Sequence, residues 1–275
     1  MIAHSSPVDH LLLVAVACAA VVTYGAAWVH RPDAARGRLA AWVGAIVVTL
    51  AATAPPFEGW ADRSFTGHMA QHLALIVLAA PLFVLAQPVR TMHHSPWFAH
   101  RPGRRERAVS RWWHRRGALL APALFLLVLY VTHLTSVYEW ALENQFVHDL
   151  EHVGYVATAV ALWAVIHTAG RRGPLPRIGV ALAVIAGMAM LGVVLMSASE
   201  PLIPTYVERL GADRALDDQR LAASFMWAGG MGLTLPLLLT SVWVWASAEE
   251  RMVARSEAFT DQARRDAPDS SITAR

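Results

Sequence analysis

Seven stretches of the chain are predominantly apolar, at about 10–29, 39–56, 67–88, 117–136, 147–169, 178–198 and 219–246, and polar positions gather in the segments between them. A bilayer core about 30 Å thick is crossed by roughly 20 residues at about 1.5 Å rise per residue, so each stretch is long enough to span. Pro55 and Pro56 stop the second one early, yet it still crosses with little tilt. The pattern predicts an all-α fold: a polytopic membrane helical bundle with seven transmembrane helices in residues 1–250. A polar cytoplasmic tail is expected at 251–275, with a composition that suits partial disorder.

Charge sets the expected orientation, because basic residues in short loops resist translocation. All 23 basic residues are arginine, and 19 of them fall in the first, third and fifth loops and the tail. Only Arg63, Arg209, Arg214 and Arg220 lie on the other side. The amino terminus is therefore expected outside and the carboxyl terminus in the cytoplasm. No basic segment precedes the first stretch, so it is expected to be retained rather than cleaved. In the third loop, Arg104, Arg105, Arg107, Arg111, Arg115 and Arg116 surround Trp112 and Trp113, which suggests a short basic segment lying on anionic membrane lipids.

Composition narrows the function. At 56% apolar and 16% charged, the chain is too apolar for an ordinary soluble domain. Cys18 is the only cysteine, which excludes an intrachain disulfide and a thiolate cluster. Without lysine, no retinal Schiff base can form. The net charge of +3 does not indicate nucleic acid, because the arginines are distributed as topology signals.

An ionisable side chain inside a span is costly, and is by default a functional hypothesis. The third stretch opens His68-Met69-Ala70-Gln71-His72, and the fifth opens His148-Asp149-Leu150-Glu151-His152. Each places two imidazoles four residues apart on one helical face. His133 lies about one turn from the outer end of the fourth stretch. The charge-derived orientation thus brings five histidines, from three consecutive spans, into one layer roughly 10 Å deep on the outer side. Imidazole is the commonest metal ligand, and helical bundles build metal sites from such facing side chains. Met69 and Ala70 follow His68 where a zinc protease would carry its glutamate, so hydrolysis is not expected and no enzyme activity is assigned.

The predicted metal ligands are His68, His72, His133, His148 and His152, with Met69, Met196 and Met226 as available thioethers. Imidazole and thioether together suit copper as Cu(I). Asp149 and Glu151 are expected to orient an imidazole through its second nitrogen. Of the other histidines, His30, His93, His94, His100, His114 and His167 fall on the arginine-rich side, and His4 and His10 lie near the amino terminus.

These residues resemble the CtaG family of caa(3)-type cytochrome c oxidase assembly factors. The resemblance rests on His68–His72, the run from Pro81 to Pro88, His133, Tyr138-Glu139, His148–His152, Trp163, Asp218-Gln219 and Met226-Trp227. It departs at Ala222, Ala223 and Ser224, where a glycine would be expected. The resemblance implies a seven-span protein of the bacterial plasma membrane that matures haem-copper oxidase. Its implied cargo is copper for the copper B site of cytochrome c oxidase subunit I, received from a periplasmic copper donor. Two other functions fit the histidines less well: a b-type haem electron-transfer protein and a copper transporter. Two ligands on one helix cannot occupy opposite axial positions of a haem. The middles of the spans are nearly free of the ionisable groups that a transport route would need.

Overall fold

The structure is a computed structural model, which describes residues 7–30, 36–93, 95–98, 103–169 and 174–266. His4, His94 and His100, and the loop residues Arg31, Arg101, Arg171 and Arg172, lie outside the described residues.

Twelve helices account for the regular structure among those residues: α1 (Pro7–Val29), α2 (Arg36–Thr53), α3 (Pro55–Arg63), α4 (Phe65–Leu73), α5 (Ala80–Ala86), α6 (Pro88–Met92), α7 (Arg104–Leu134), α8 (Val137–Glu143), α9 (Gln145–Ala169), α10 (Pro174–Ser197), α11 (Pro204–Leu210) and α12 (Ala212–Asp266). A π-helical stretch, Ala74–Ala79, joins α4 to α5. Seven helical segments are long and apolar enough to cross a membrane, and the described residues contain no strand. Leu119, Leu127, Val153, Val193 and Leu239 are exposed along the spans, where lipid takes the place of a protein neighbour.

Three short helices, α3, α8 and α11, lie at one end of the bundle. Pro55 and Pro56 close α2 and also open α3, because a fixed φ and a missing N–H are tolerated in a first helical turn. Pro204 does the same for α11. The third span is not one regular helix. Ala80 N–H bonds to the Leu75 carbonyl five residues back, and Pro81 has no N–H to offer, so the Ile76 carbonyl has no partner in its own helix. Trp163 of α9 supplies one, its Nε1 donating to Ile76 at 2.9 Å. Trp163→Phe is expected to lower stability by about 1 kcal/mol, the usual worth of one such bond between membrane helices. Unfolding in detergent would measure this, and an unchanged transition would mean the carbonyl finds another partner.

One stretch differs from the sequence expectation. The arginine-rich segment of the third loop is the first part of α7, continuous with the fourth span rather than a separate piece lying on the membrane surface. From Arg104 to Leu134 no glycine or proline falls where it would end the helix: Gly117 and Pro122 sit in its apolar part, and both are buried. Past residue 250, α12 continues to Asp266, over a run with four arginines and three alanines, both good helix formers, and the rest of the expected tail, 267–275, lies outside the described residues.

The core sits among α4, α7, α9, α10 and α12. It includes Phe65, Met69, Phe125, Leu129, Tyr138, Tyr155, Leu195 and Met226. Helix α1 packs on α2 and α6, at the edge of the bundle.

Candidate metal centre

Each histidine pair starts four residues after a polar helix cap. Ser64 Oγ accepts from Gly67 N at 2.9 Å, and Asn144 Oδ1 accepts from Phe146 N at 2.9 Å. Such side chains satisfy the N–H groups that a first turn leaves free. His68 and His148 therefore lie about 6 Å along their helices from the caps, and His72 and His152 about 12 Å. The two pairs are matched in depth because their caps are matched.

Helix α4 is held in place by its neighbours. Asp218 of α12 accepts from Phe65 N at 2.5 Å and from Thr66 Oγ1 at 2.6 Å. A Cβ on Gly67 would fall 2.6 Å from the Trp60 carbonyl oxygen, so only glycine lets α4 approach α3 this closely. Asp218→Ala is expected to cost about 0.5–2 kcal/mol, the range for losing a helix cap, and to loosen the histidine pair that α4 carries. Unfolding and metal titration of the same variant would show the two effects together; an effect on neither would contradict this anchoring.

The four paired histidines and Glu151 meet in one cluster. Ring centroids of His68 and His72 are 4.3 Å apart, those of His148 and His152 are 4.3 Å apart, His68 to His148 is 5.2 Å and His72 to His152 is 5.4 Å. Glu151 stands at the middle, its Oε2 3.6 Å from His68 Nε2 and 3.9 Å from His72 Nε2. Ligand atoms of His68, His148 and Glu151 lie within 4.8 Å of one another. Four of these five side chains are buried, and His152 is partly exposed.

Hydrogen bonding does not account for the cluster. Nε2 of His68, His148 and His152, both ring nitrogens of His72 and both carboxylate oxygens of Glu151 are buried atoms without a hydrogen-bond partner among the described residues. A buried polar atom left unpaired costs about 1–3 kcal/mol, and in native proteins such atoms are few. Seven in one cluster is the pattern of a site that binds something, and the donor set of imidazoles with one carboxylate fits a metal ion.

The fifth histidine forms a neighbouring pair. His133 Nδ1 lies 2.8 Å from the Leu129 carbonyl, which can only accept, so in the neutral ring Nδ1 carries the proton. The lone pair of Nε2 then faces Met69 Sδ at 3.2 Å. Tyr155, itself hydrogen-bonded to Thr132, has its hydroxyl 3.2 Å from the same Nδ1 and its ring tilted against His72, 4.4 Å between centroids.

Of the other predicted residues, Met226 is buried in the core near Gly192 and has no described contact with the histidines. Met196 is 44% exposed and is not brought to the cluster, since its position on α10 faces away from the bundle. Asp149 is exposed and accepts from Gln145 Nε2 at 3.0 Å, so it does not orient an imidazole. Glu151, expected to act behind an imidazole, stands inside the cluster, its carboxylate within 4.8 Å of the ring nitrogens of His68 and His148. Its spacing was the available signal, because residues 148, 151 and 152 share one helical face.

A polar roof covers this end of the bundle. Tyr138 lies over His68, 4.8 Å between centroids, and its hydroxyl is 3.5 Å from that of Tyr206. Tyr206 donates to the Ala61 carbonyl at 3.2 Å. Glu139 accepts from Thr205 N at 3.0 Å, and Arg209 donates to the Asp62 carbonyl. Burial pushes the Tyr138 and Tyr206 phenols up, which keeps both as neutral donors.

Fold and site together define a helical multi-pass membrane protein with a buried imidazole–carboxylate cluster. Residues 18–248 match the family described as cytochrome c oxidase caa3 assembly factor (Caa3_CtaG), and the chain belongs to it. Uncharacterized proteins of Mycobacterium bovis and Mycobacterium tuberculosis are each 26% identical over 245 residues, covering 82% of this chain and 36% of theirs. One from Mycobacterium leprae is 25% identical over 248 residues, with the same coverage. The chain thus spans little more than a third of the length of these curated relatives. No solved structure matches it.

Proposed function

We propose that the cluster of His68, His72, His148, His152 and Glu151 binds copper as cargo, and that the protein passes it to the copper B centre of cytochrome c oxidase subunit I during assembly. The observation that carries this is the convergence of seven unpaired buried donor atoms from two helices, in a chain of an oxidase assembly family. The role is assembly rather than catalysis. The site lies at the outer face of the plasma membrane, with the amino terminus outside, a placement that the arginine distribution supports. A periplasmic donor supplies the ion.

Two donor sets stand side by side. The imidazole–carboxylate cluster suits a divalent ion as readily as Cu(I), whereas the Met69–His133 pair adds the soft sulfur that favours Cu(I). An ion that can move between them has the alternative ligand sets that delivery requires. The packing of the rings favours a small ion over haem, because centroids 4.3–5.4 Å apart leave no room for a porphyrin between them. Competition with a Cu(I) chelator under anaerobic conditions tests this: the parent chain is expected to retain Cu(I), and failure to take up copper from the chelator would overturn the assignment.

A further inference from the structure

A cavity of about 820 Å³ opens beside the cluster, between α1 and α2 on one side and α9 on the other. His148 and His152 line it, whereas His68, His72 and His133 do not. Its polar side chains follow an order along the bundle. Glu58 of α3 and Gln145 and Asp149 in the first turn or so of α9 stand at the roofed end, and Gln71 and His152 lie further in. Gln71 is 1% exposed; its Nε2 donates to the Ala52 carbonyl at 3.0 Å, and its Oε1 is a buried acceptor without a hydrogen-bond partner. Much of the remaining wall is apolar, including Leu12 and Val16 of α1 and Leu75 and Val156 deeper down.

Building on the metal-binding role proposed above, we infer that this cleft is the passage through which the cation reaches and leaves the cluster. The carboxylates of Glu58 and Asp149 attract it at the mouth, the Gln71 carbonyl oxygen serves as an oxygen donor on the way, and His152 and His148 are the first imidazoles it meets. The roof closes the direct way from the membrane surface, since Tyr138, Tyr206, Glu139 and Arg209 tie α3, α8 and α11 together across it. The side route is also the one along which a histidine is left partly exposed. The volume holds an ion together with a ligand from its donor or acceptor, so the ion is exchanged between ligands and never released bare into an apolar medium, where its desolvation would be prohibitive.

The test is kinetic and uses the full chain in detergent, with Cu(I) supplied as a soluble complex, Zn(II) in parallel, and release read by a chromogenic chelator. Thr53→Trp, on the α2 wall between Glu58 and the Gln71 contact at Ala52, narrows the cleft ahead of the imidazoles without replacing a ligand. It is expected to slow loading and release by a similar factor, leaving affinity as it was. Glu58→Gln with Asp149→Asn is expected to slow loading about 10-fold at low salt, the lower end of electrostatic steering, with the difference shrinking as salt is raised. This second variant alters only the mouth, so it remains informative if the tryptophan variant fails to fold. Parental rates in both variants, or in the mouth variant alone if the tryptophan variant does not fold, would overturn the passage while leaving the centre standing. A parent chain that takes up neither ion would overturn the centre, and the passage with it.

Discussion

Replacing His72 and His152 together by alanine is expected to abolish copper retention and to reduce oxidase activity in cells to the level seen without the protein. The two rings come from different helices, and His72 presents two unpaired ring nitrogens to the cluster. Loss of a residue that only supports a ligand typically weakens metal binding about 10–100-fold, so loss of two facing ligands should exceed about 100-fold. The fold should survive, because neither ring makes a hydrogen bond whose loss would strand a partner. Oxidase activity measured in membranes, beside copper affinity of the purified chain, separates the possibilities. Unchanged values in both would remove the pair from any role in copper handling.

Glu151→Leu is the second large effect, and its sign is diagnostic. Both Glu151 oxygens are buried without a hydrogen-bond partner, so in the metal-free chain the side chain is a burden on stability. A leucine of similar volume should leave the metal-free protein as stable as the parent or more so. The same substitution removes the carboxylate nearest to His68 and His72, so stabilisation by added metal should disappear. In the parent that stabilisation is about 2.7 kcal/mol when free metal is about 100 times its dissociation constant. Thermal unfolding with and without Cu(I) reads both parts. A variant that is less stable without metal, yet still stabilised by it, would make Glu151 a structural residue rather than a ligand.

The spans were legible in the sequence because lipid imposes a length and a composition on each helix separately. The apolar run at 147–169 became α9, Gln145–Ala169, and that at 178–198 became α10, Pro174–Ser197. The histidine pairs were legible for a similar local reason, as i, i+4 spacing on one face needs no knowledge of the neighbouring helices. What required the structure is contact between distant segments. Asp218 reaches Phe65 and Thr66 across about 150 residues, and Trp163 reaches Ile76 across 87. No spacing rule announces such partners. The π-helical stretch was hidden too: Pro81 marks a disturbed helix, but a wider turn needs the outside donor that Trp163 provides. The roof helices were obscured by their length, since segments of seven to nine residues carry little periodic signal.

Glu151 shows where local reasoning stopped. Its place on the face shared by His148 and His152 was visible, but its distance to His68 and His72 depends on how α4 packs beside α9. That packing follows from Gly67, which admits α3 against α4, and from Asp218, which anchors the start of α4 to α12. The centre is therefore a property of the assembled bundle, built from two motifs that each look ordinary alone.

The central claim is that the buried cluster holds copper. Its most direct test is elemental analysis of the chain purified anaerobically, beside a variant with His68, His72, His148 and His152 all replaced by alanine. Copper bound stoichiometrically in the parent and at background in the variant is the predicted result. No copper in the parent, or equal copper in both, would contradict it.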